Sequence, residues 1–120
     1  MKTILVIDDD FAMRRGMALM LQGQGHEVCE AGDGTQALQM LAQRSIDLVI
    51  VDLFLPGPDG VELAEEIGKR HLRTKILLLT AHGEHPRAKE AARIFKENYL
   101  VKTSLEQTLI KKVEEALQIL

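Results

Sequence analysis

At 120 residues the chain has room for one domain with a real core and none for a second. Its composition, 46% hydrophobic and 28% charged with a formal net charge of −3, is ordinary for a soluble globular protein and supplies no basic field for a nucleic-acid backbone, while 3% aromatics leave no platform for stacking bases. A lone Cys29 excludes an internal disulfide, charges at Lys2 and from Asp8 to Asp10 break any signal-peptide core, and no apolar run approaches membrane-spanning length, so one cytoplasmic domain over residues 1–120, with no membrane contact, is expected.

The first predicted element is a strand over Thr3–Ile7, an aliphatic run that ends on three carboxylates, Asp8, Asp9 and Asp10. Met13, Met17, Met20 and Leu21 follow at helical spacing and are expected in the core, with Arg14 and Arg15 on another face. Asp10 is placed to cap this helix, and Gly23 and Gly25 to close it. A short strand over Glu27–Ala31 leads into a Gly32-Asp33-Gly34 turn, and Ala37, Leu38 and Leu41 mark a second helix. Ile46, Leu48, Val49, Ile50 and Val51 then form a run suited to a strand buried on both faces, ending on Asp52.

Pro56, Gly57, Pro58 and Gly60 break the chain into a loop, and Asp59 with Glu62 three residues on reads as the capping box of a third helix. Leu63, Ala64 and Ile67 are its inner stripe, and it should stop near Gly68. Lys75–Thr80 is another aliphatic strand, tipped by the Thr80 hydroxyl. Pro86 suits the first position of a fourth helix with an inner stripe of Ala88, Ala91, Ala92 and Phe95. Tyr99–Val101 is a short strand tipped by Lys102. Leu105, Leu109, Val113 and Leu117 fit a last helix with Ser104 at its cap position.

Five alternations of strand and helix predict an α/β, doubly wound fold: a parallel five-stranded sheet with helices on both faces, joined by right-handed crossovers. The flavodoxin-like (βα)5 sandwich, strand order 2-1-3-4-5, is one of two common solutions. In that order Asp8 and Asp9 lie beside Asp52, and Thr80 and Lys102 tip the fourth and fifth strands on the same edge. Each residue alone has a plainer reading. An Asp at a strand end caps a helix or starts a loop, Thr80 is a strand-end hydroxyl, and Lys102 is a solvated amine. The set, each at the tip of its own strand, is what makes a site. His26, His71, His82 and His85 lack paired metal-ligand spacing and read as surface or loop residues, although His82 is close enough in sequence to Thr80 to border the site.

Three convergent carboxylates repel one another unless a cation sits among them, and hard oxygen ligands at a rim suit Mg2+, which accepts one or two carboxylates plus phosphoryl oxygens. An ammonium and a hydroxyl nearby could hold the other oxygens of a phosphoryl group, and the carboxylate on the central strand could serve as a nucleophile.

Along essentially its whole length the sequence resembles the receiver domains of two-component response regulators. I-L-V-I-D-D-D matches that family's first strand and acidic pair, D-L-V-I-V-D-L-F-L-P-G-P-D-G its phosphoacceptor strand and loop, L-L-L-T-A its switch strand, and Y-L-V-K its last strand. The resemblance implies that Asp52 is phosphorylated by a sensor histidine kinase. Mg2+ would be held by Asp8, Asp9, Asp52 and the backbone carbonyl of Phe54. Thr80 and Lys102 would bind the phosphoryl oxygens, and Tyr99 would be a rotating switch aromatic. It further implies no turnover chemistry beyond the chain's own phosphorylation and dephosphorylation. The face of the fourth helix, fifth strand and fifth helix would address an output domain or effector, with room for a homodimer. The T-A-H-G-E-H-P string looks most like receivers attached to sigma-54-dependent activators.

The chain departs from the family pattern at three places. Thr103 follows Lys102 where a proline with a cis bond is usual, Phe95-Lys96 replaces Gly-Ala, and Pro58 stands where a bulky apolar residue is usual. Two rivals follow. One is a pseudo-receiver that interacts without being phosphorylated. The other is a haloacid-dehalogenase-type phosphatase, since Asp8-x-Asp10 mimics its nucleophile motif; it lacks the acidic pair required after Lys102. A flavodoxin-like FMN carrier finds too few aromatics to hold a flavin.

Overall fold

A computed structural model of the protein describes residues 2–56, 59–101 and 106–118. Its elements run β1 (Thr3–Ile7), α1 (Phe11–Gly23), β2 (Glu27–Ala31), α2 (Gly34–Gln43), β3 (Leu48–Asp52), α3 (Gly60–Arg70), β4 (Lys75–Thr80), α4 (Pro86–Phe95), a 3-10 turn (Lys96–Asn98), β5 (Tyr99–Val101) and α5 (Glu106–Leu117). The five strands form one sheet in the order β2-β1-β3-β4-β5, every pair parallel. Fold class and strand order are those expected from the sequence. Among the described residues no helix is long and apolar enough to cross a membrane.

The aliphatic strands are continuous because both of their faces are covered, and residue parity divides them between two cores. Ile4, Val6, Leu48, Ile50, Leu77 and Leu79 pack with Met17 and Leu21 of α1 and with Leu109, Val113 and Leu117 of α5. Leu5, Ile7, Val49, Val51 and Leu78 pack on the other face with Ala37 and Leu41 of α2, Leu63 and Ile67 of α3, and Ala88 and Ala91 of α4. Helices thus cover both faces, and every strand delivers its C-terminal end to the same edge.

Local signals set the helix ends. Asp10 accepts the Met13 amide at 3.1 Å and caps α1, and Asp59 accepts the Glu62 amide at 3.0 Å and caps α3, both as expected. Asp33 does the same for α2, accepting from the Gln36 amide at 2.8 Å. The end of α1 is a Schellman turn: His26 N–H donates to the Leu21 carbonyl and Gly25 N–H to the Gln22 carbonyl, with Gly25 at φ +92°.

Several details differ from expectation. Met13 is 41% exposed and Met20 only partly buried against the core, while Ala18 is fully buried. Helix α3 continues through Gly68 to Arg70. In α4 only Ala88 and Ala91 are fully buried, with Ala92 and Phe95 at the margin. His26 lies in the α1–β2 loop, as expected, but its side chain is largely buried. The Schellman turn folds it back against α5, where its ring nitrogens are enclosed and Nε2 lies 3.6 Å from Glu114. The Ser104 cap, Leu105, Pro58 and the Lys102-Thr103 pair lie outside the described residues.

Candidate functional site

At the C-terminal edge of the sheet, β1 and β3 are neighbours, paired through Ile7 and Val51, so the residues that follow them meet. Carboxylate oxygens of Asp8, Asp9 and Asp52 all lie within 4.8 Å of one another. Asp8 is wholly buried, Asp52 is 8% exposed, and Asp9 stands at the solvent mouth. Each buried carboxylate is held locally: Asp8 Oδ1 accepts the Asp10 amide at 3.0 Å, and Asp52 Oδ1 the Phe54 amide at 3.3 Å. Asp10 belongs to the α1 cap and not to this cluster.

Three carboxylates at this spacing are a hard-oxygen donor set, and the depth of two of them makes their mutual repulsion costly. The set fits a small divalent cation such as Mg2+ held in part through water.

Thr80 ends β4, fully buried, and its Oγ1 accepts the His82 amide at 3.0 Å while keeping a proton to donate. Val101 pairs with Thr80 across β4 and β5, so the chain leaves β5 on this same edge. Lys102 itself lies outside the described residues. Tyr99 pairs with Leu78 at the start of β5, and its hydroxyl is buried with no hydrogen-bond partner among the described residues. Burial, reinforced by the nearby Glu84 carboxylate, raises the Tyr99 phenol above its ordinary range.

Sequence reading missed how the two loops flanking Asp52 are tied. The Phe54 ring meets His82 edge-on at 5.8 Å and His85 at 4.9 Å. His85 also caps α4, its Nδ1 accepting the Arg87 amide at 3.0 Å. Arg87 in turn forks onto Asp59, with Nε to Oδ2 at 2.8 Å and Nη2 to Oδ1 at 3.2 Å. Partial burial pushes the Asp59 carboxyl up, but hydrogen bonds from Arg87 and from the Glu62 and Val61 amides outweigh it and leave the group below the usual carboxylate value. The capping role of Asp59 was legible; its partner 28 residues away was not.

The family profile described as the response regulator receiver domain matches residues 4–114. The phosphate regulon transcriptional regulatory protein PhoB of Pseudomonas aeruginosa is 31% identical over 98% of this chain and 52% of its own length. ResD of Bacillus subtilis is 30% identical over 96% of this chain and 48% of its own. The chain spans about half the length of the curated relatives it matches. Among solved structures, the response regulator TrrA of Thermotoga maritima in complex with Mg2+-BeF superposes with a TM-score of 0.84 at 35% identity, covering 98% of this chain and 100% of that one. NtrX of Brucella abortus, solved with ADP, gives a TM-score of 0.85 at 32% identity over 97% of this chain and 27% of its own.

Proposed function

The chain belongs to the response regulator receiver domain family of two-component systems, and from that premise we propose that residues 1–120 act as one such domain with Asp52 as its phosphoacceptor. Receiver domains are not classical enzymes; the chemistry proposed here is a single transfer onto the chain itself. One Asp52 carboxylate oxygen attacks the phosphorus of a phosphohistidine on a sensor histidine kinase. The P–O bond forms as the P–N bond breaks, and the imidazole departs, taking up a proton. Water later attacks the same phosphorus, giving inorganic phosphate and the free carboxylate.

Asp8, Asp9 and Asp52, with the Phe54 carbonyl, would hold Mg2+, and the bound ion would supply neutralisation of charge on the phosphoryl oxygens. The buried Thr80 hydroxyl and the Lys102 ammonium bind the remaining phosphoryl oxygens. Engagement of Thr80 then biases Tyr99 and α4, so that the α4-β5-α5 face changes its affinity for an output domain, an effector or a second copy. The T-A-H-G-E-H-P loop favours an output of the sigma-54 activator type, and the cytoplasm is where such a partner and the kinase would meet it.

The observation that carries the reading is the meeting of Asp8, Asp9 and Asp52 within 4.8 Å at the tips of adjacent strands. Intact mass after incubation with acetyl phosphate tests it. The expected result is one phosphoryl adduct that requires Mg2+ and is lost in Asp52→Asn. No adduct on a folded, Mg2+-binding protein would support the unphosphorylated interaction module instead.

A further inference from the structure

Of the three cluster residues, Asp9 is the exposed one, and among the described residues no hydrogen bond holds its carboxylate. Its direction therefore depends on the backbone that carries it. The peptide joining Asp8 to Asp9 is one rigid plane, so whatever holds the Asp8 carbonyl also orients the Asp9 amide and the bonds leading to its side chain.

That carbonyl accepts a hydrogen bond from Nη1 of Arg14 at 2.8 Å. The guanidinium is itself fixed on several sides. Nε donates to Glu30 Oε1 at 3.1 Å, and Arg15 occupies the other Glu30 oxygen. The Phe11 ring lies 5.3 Å under Cζ, and a Cβ on Gly32 would come within 3.4 Å of Nη1. The Arg14 side chain is only 15% exposed. A surface arginine does not need a charged partner, an aromatic plate and a glycine seat to stay in solution.

We propose that Arg14 is a positioning residue for the acidic site, fixing the Asp8–Asp9 peptide so that the Asp9 carboxylate meets the cation bound by Asp8 and Asp52. The proposal rests on the Mg2+ reading given above. Mg2+ demands near-octahedral geometry at short distances, so a small rotation of one ligand is expensive. Loss of a group that orients a ligand typically weakens metal binding about 10- to 100-fold. Glu30 serves the same arrangement one step further out, as the anchor of Arg14.

The sign of the effect separates positioning from charge. Arg14 is a cation beside an acidic cluster, so through Coulomb repulsion alone its removal would tighten Mg2+ binding. Positioning requires the reverse. A Mg2+ titration followed by amide chemical shifts should therefore be run on wild type, Arg14→Gln, Arg14→Lys and Arg15→Gln, the last of which frees one Glu30 oxygen while leaving the Arg14 contacts to Glu30 and the Asp8 carbonyl in place. The expected result is affinity lowered about tenfold in Arg14→Gln, with Arg14→Lys intermediate and Arg15→Gln close to wild type. Amide exchange at Asp9 and Asp10 should also quicken in Arg14→Gln without metal.

Unchanged or tighter binding in Arg14→Gln overturns the proposal, as does an equal loss in Arg15→Gln. If Arg14→Gln folds poorly, the Arg14→Lys and Arg15→Gln pair decides by the same comparison. Wild type that binds no Mg2+ would instead overturn the metal reading on which the proposal stands.

Discussion

A Cβ on Gly60 would lie 2.3 Å from the carbonyl oxygen of Asp52 and 2.7 Å from the Cα of Leu53. The Gly60 amide also donates to the Leu53 carbonyl at 2.7 Å. The first residue of α3 thus rests directly on the end of β3, just behind the residue whose carboxylate meets Asp8. Glycine is required here by the close approach of two backbones.

Gly60→Ala should cost about 3 kcal/mol, at the upper end for overpacking, because no rotamer change can relieve a backbone clash. Phosphorylation of Asp52 should fall with it. Gly16→Ala is the matched control: that glycine lies in α1 with nothing within 4 Å of its would-be Cβ. It should gain about 0.5–1 kcal/mol from helix propensity. Urea unfolding of both variants against wild type checks the pair, and a Gly60→Ala protein as stable as wild type would refute the close-approach account.

The Asp59–Arg87 fork should make stability fall at acid pH. Held below its ordinary value, the Asp59 carboxyl contributes stability that is fully present above the usual aspartate pKa of about 3.9 and is lost as pH falls through the folded value. The pair is partly exposed, so Arg87→Gln should lower stability only slightly at neutral pH. The difference between wild type and Arg87→Gln in urea midpoint, followed downward in pH, should stay level to about pH 5 and then shrink. A difference that grows on acidification would show that another carboxylate controls the acid limb.

The strand runs, the helix caps at Asp10 and Asp59, and the meeting of Asp8, Asp9 and Asp52 were legible because each depends on neighbours in sequence or on the small menu of parallel-sheet topologies. The fork from Arg87 to Asp59 and the seat of Phe54 between His82 and His85 were not. Local pattern marks those residues only as polar or loop, and which of them meet is set by how α3 and α4 sit on the sheet. Arg14 shows the same limit: its spacing places it off the core face of α1, but only the fold brings it to the Asp8 carbonyl. Met13 shows the converse, a periodic apolar position that the fold leaves 41% exposed.

Lys96, where the family usually has the second residue of a Gly-Ala pair, has φ +46° and ψ −107° at the end of α4. A side chain in that region carries strain of about 1–3 kcal/mol, which glycine escapes apart from an entropic cost of about 0.5–1 kcal/mol. Lys96→Gly should therefore raise the melting temperature, and Lys96→Val, with a branched Cβ, should lower it. Equal melting temperatures in the two variants would show that the α4–β5 junction carries no such strain.

Tyr99 is the only tyrosine in a chain without tryptophan, so its phenolate absorbance can be followed alone. Burial first, and the Glu84 charge second, hold the phenol protonated above its ordinary pKa. A group whose folded pKa is raised gives stability that is fully present below its unfolded pKa of about 10 and is lost as pH rises through the folded value. The native protein should accordingly titrate later than the urea-unfolded chain, and its stability should fall across that interval. Tyr99→Phe removes a buried hydroxyl that has no hydrogen-bond partner among the described residues. It should be neutral or stabilising by up to about 1 kcal/mol at neutral pH, and it should flatten the part of the alkaline loss that belongs to this group. Native and unfolded titrations that coincide would place the Tyr99 hydroxyl in water and remove the basis for the stability gain. If they separate as expected, repeating the native titration after acetyl phosphate treatment would report whether the ring keeps its enclosed position when Asp52 is modified.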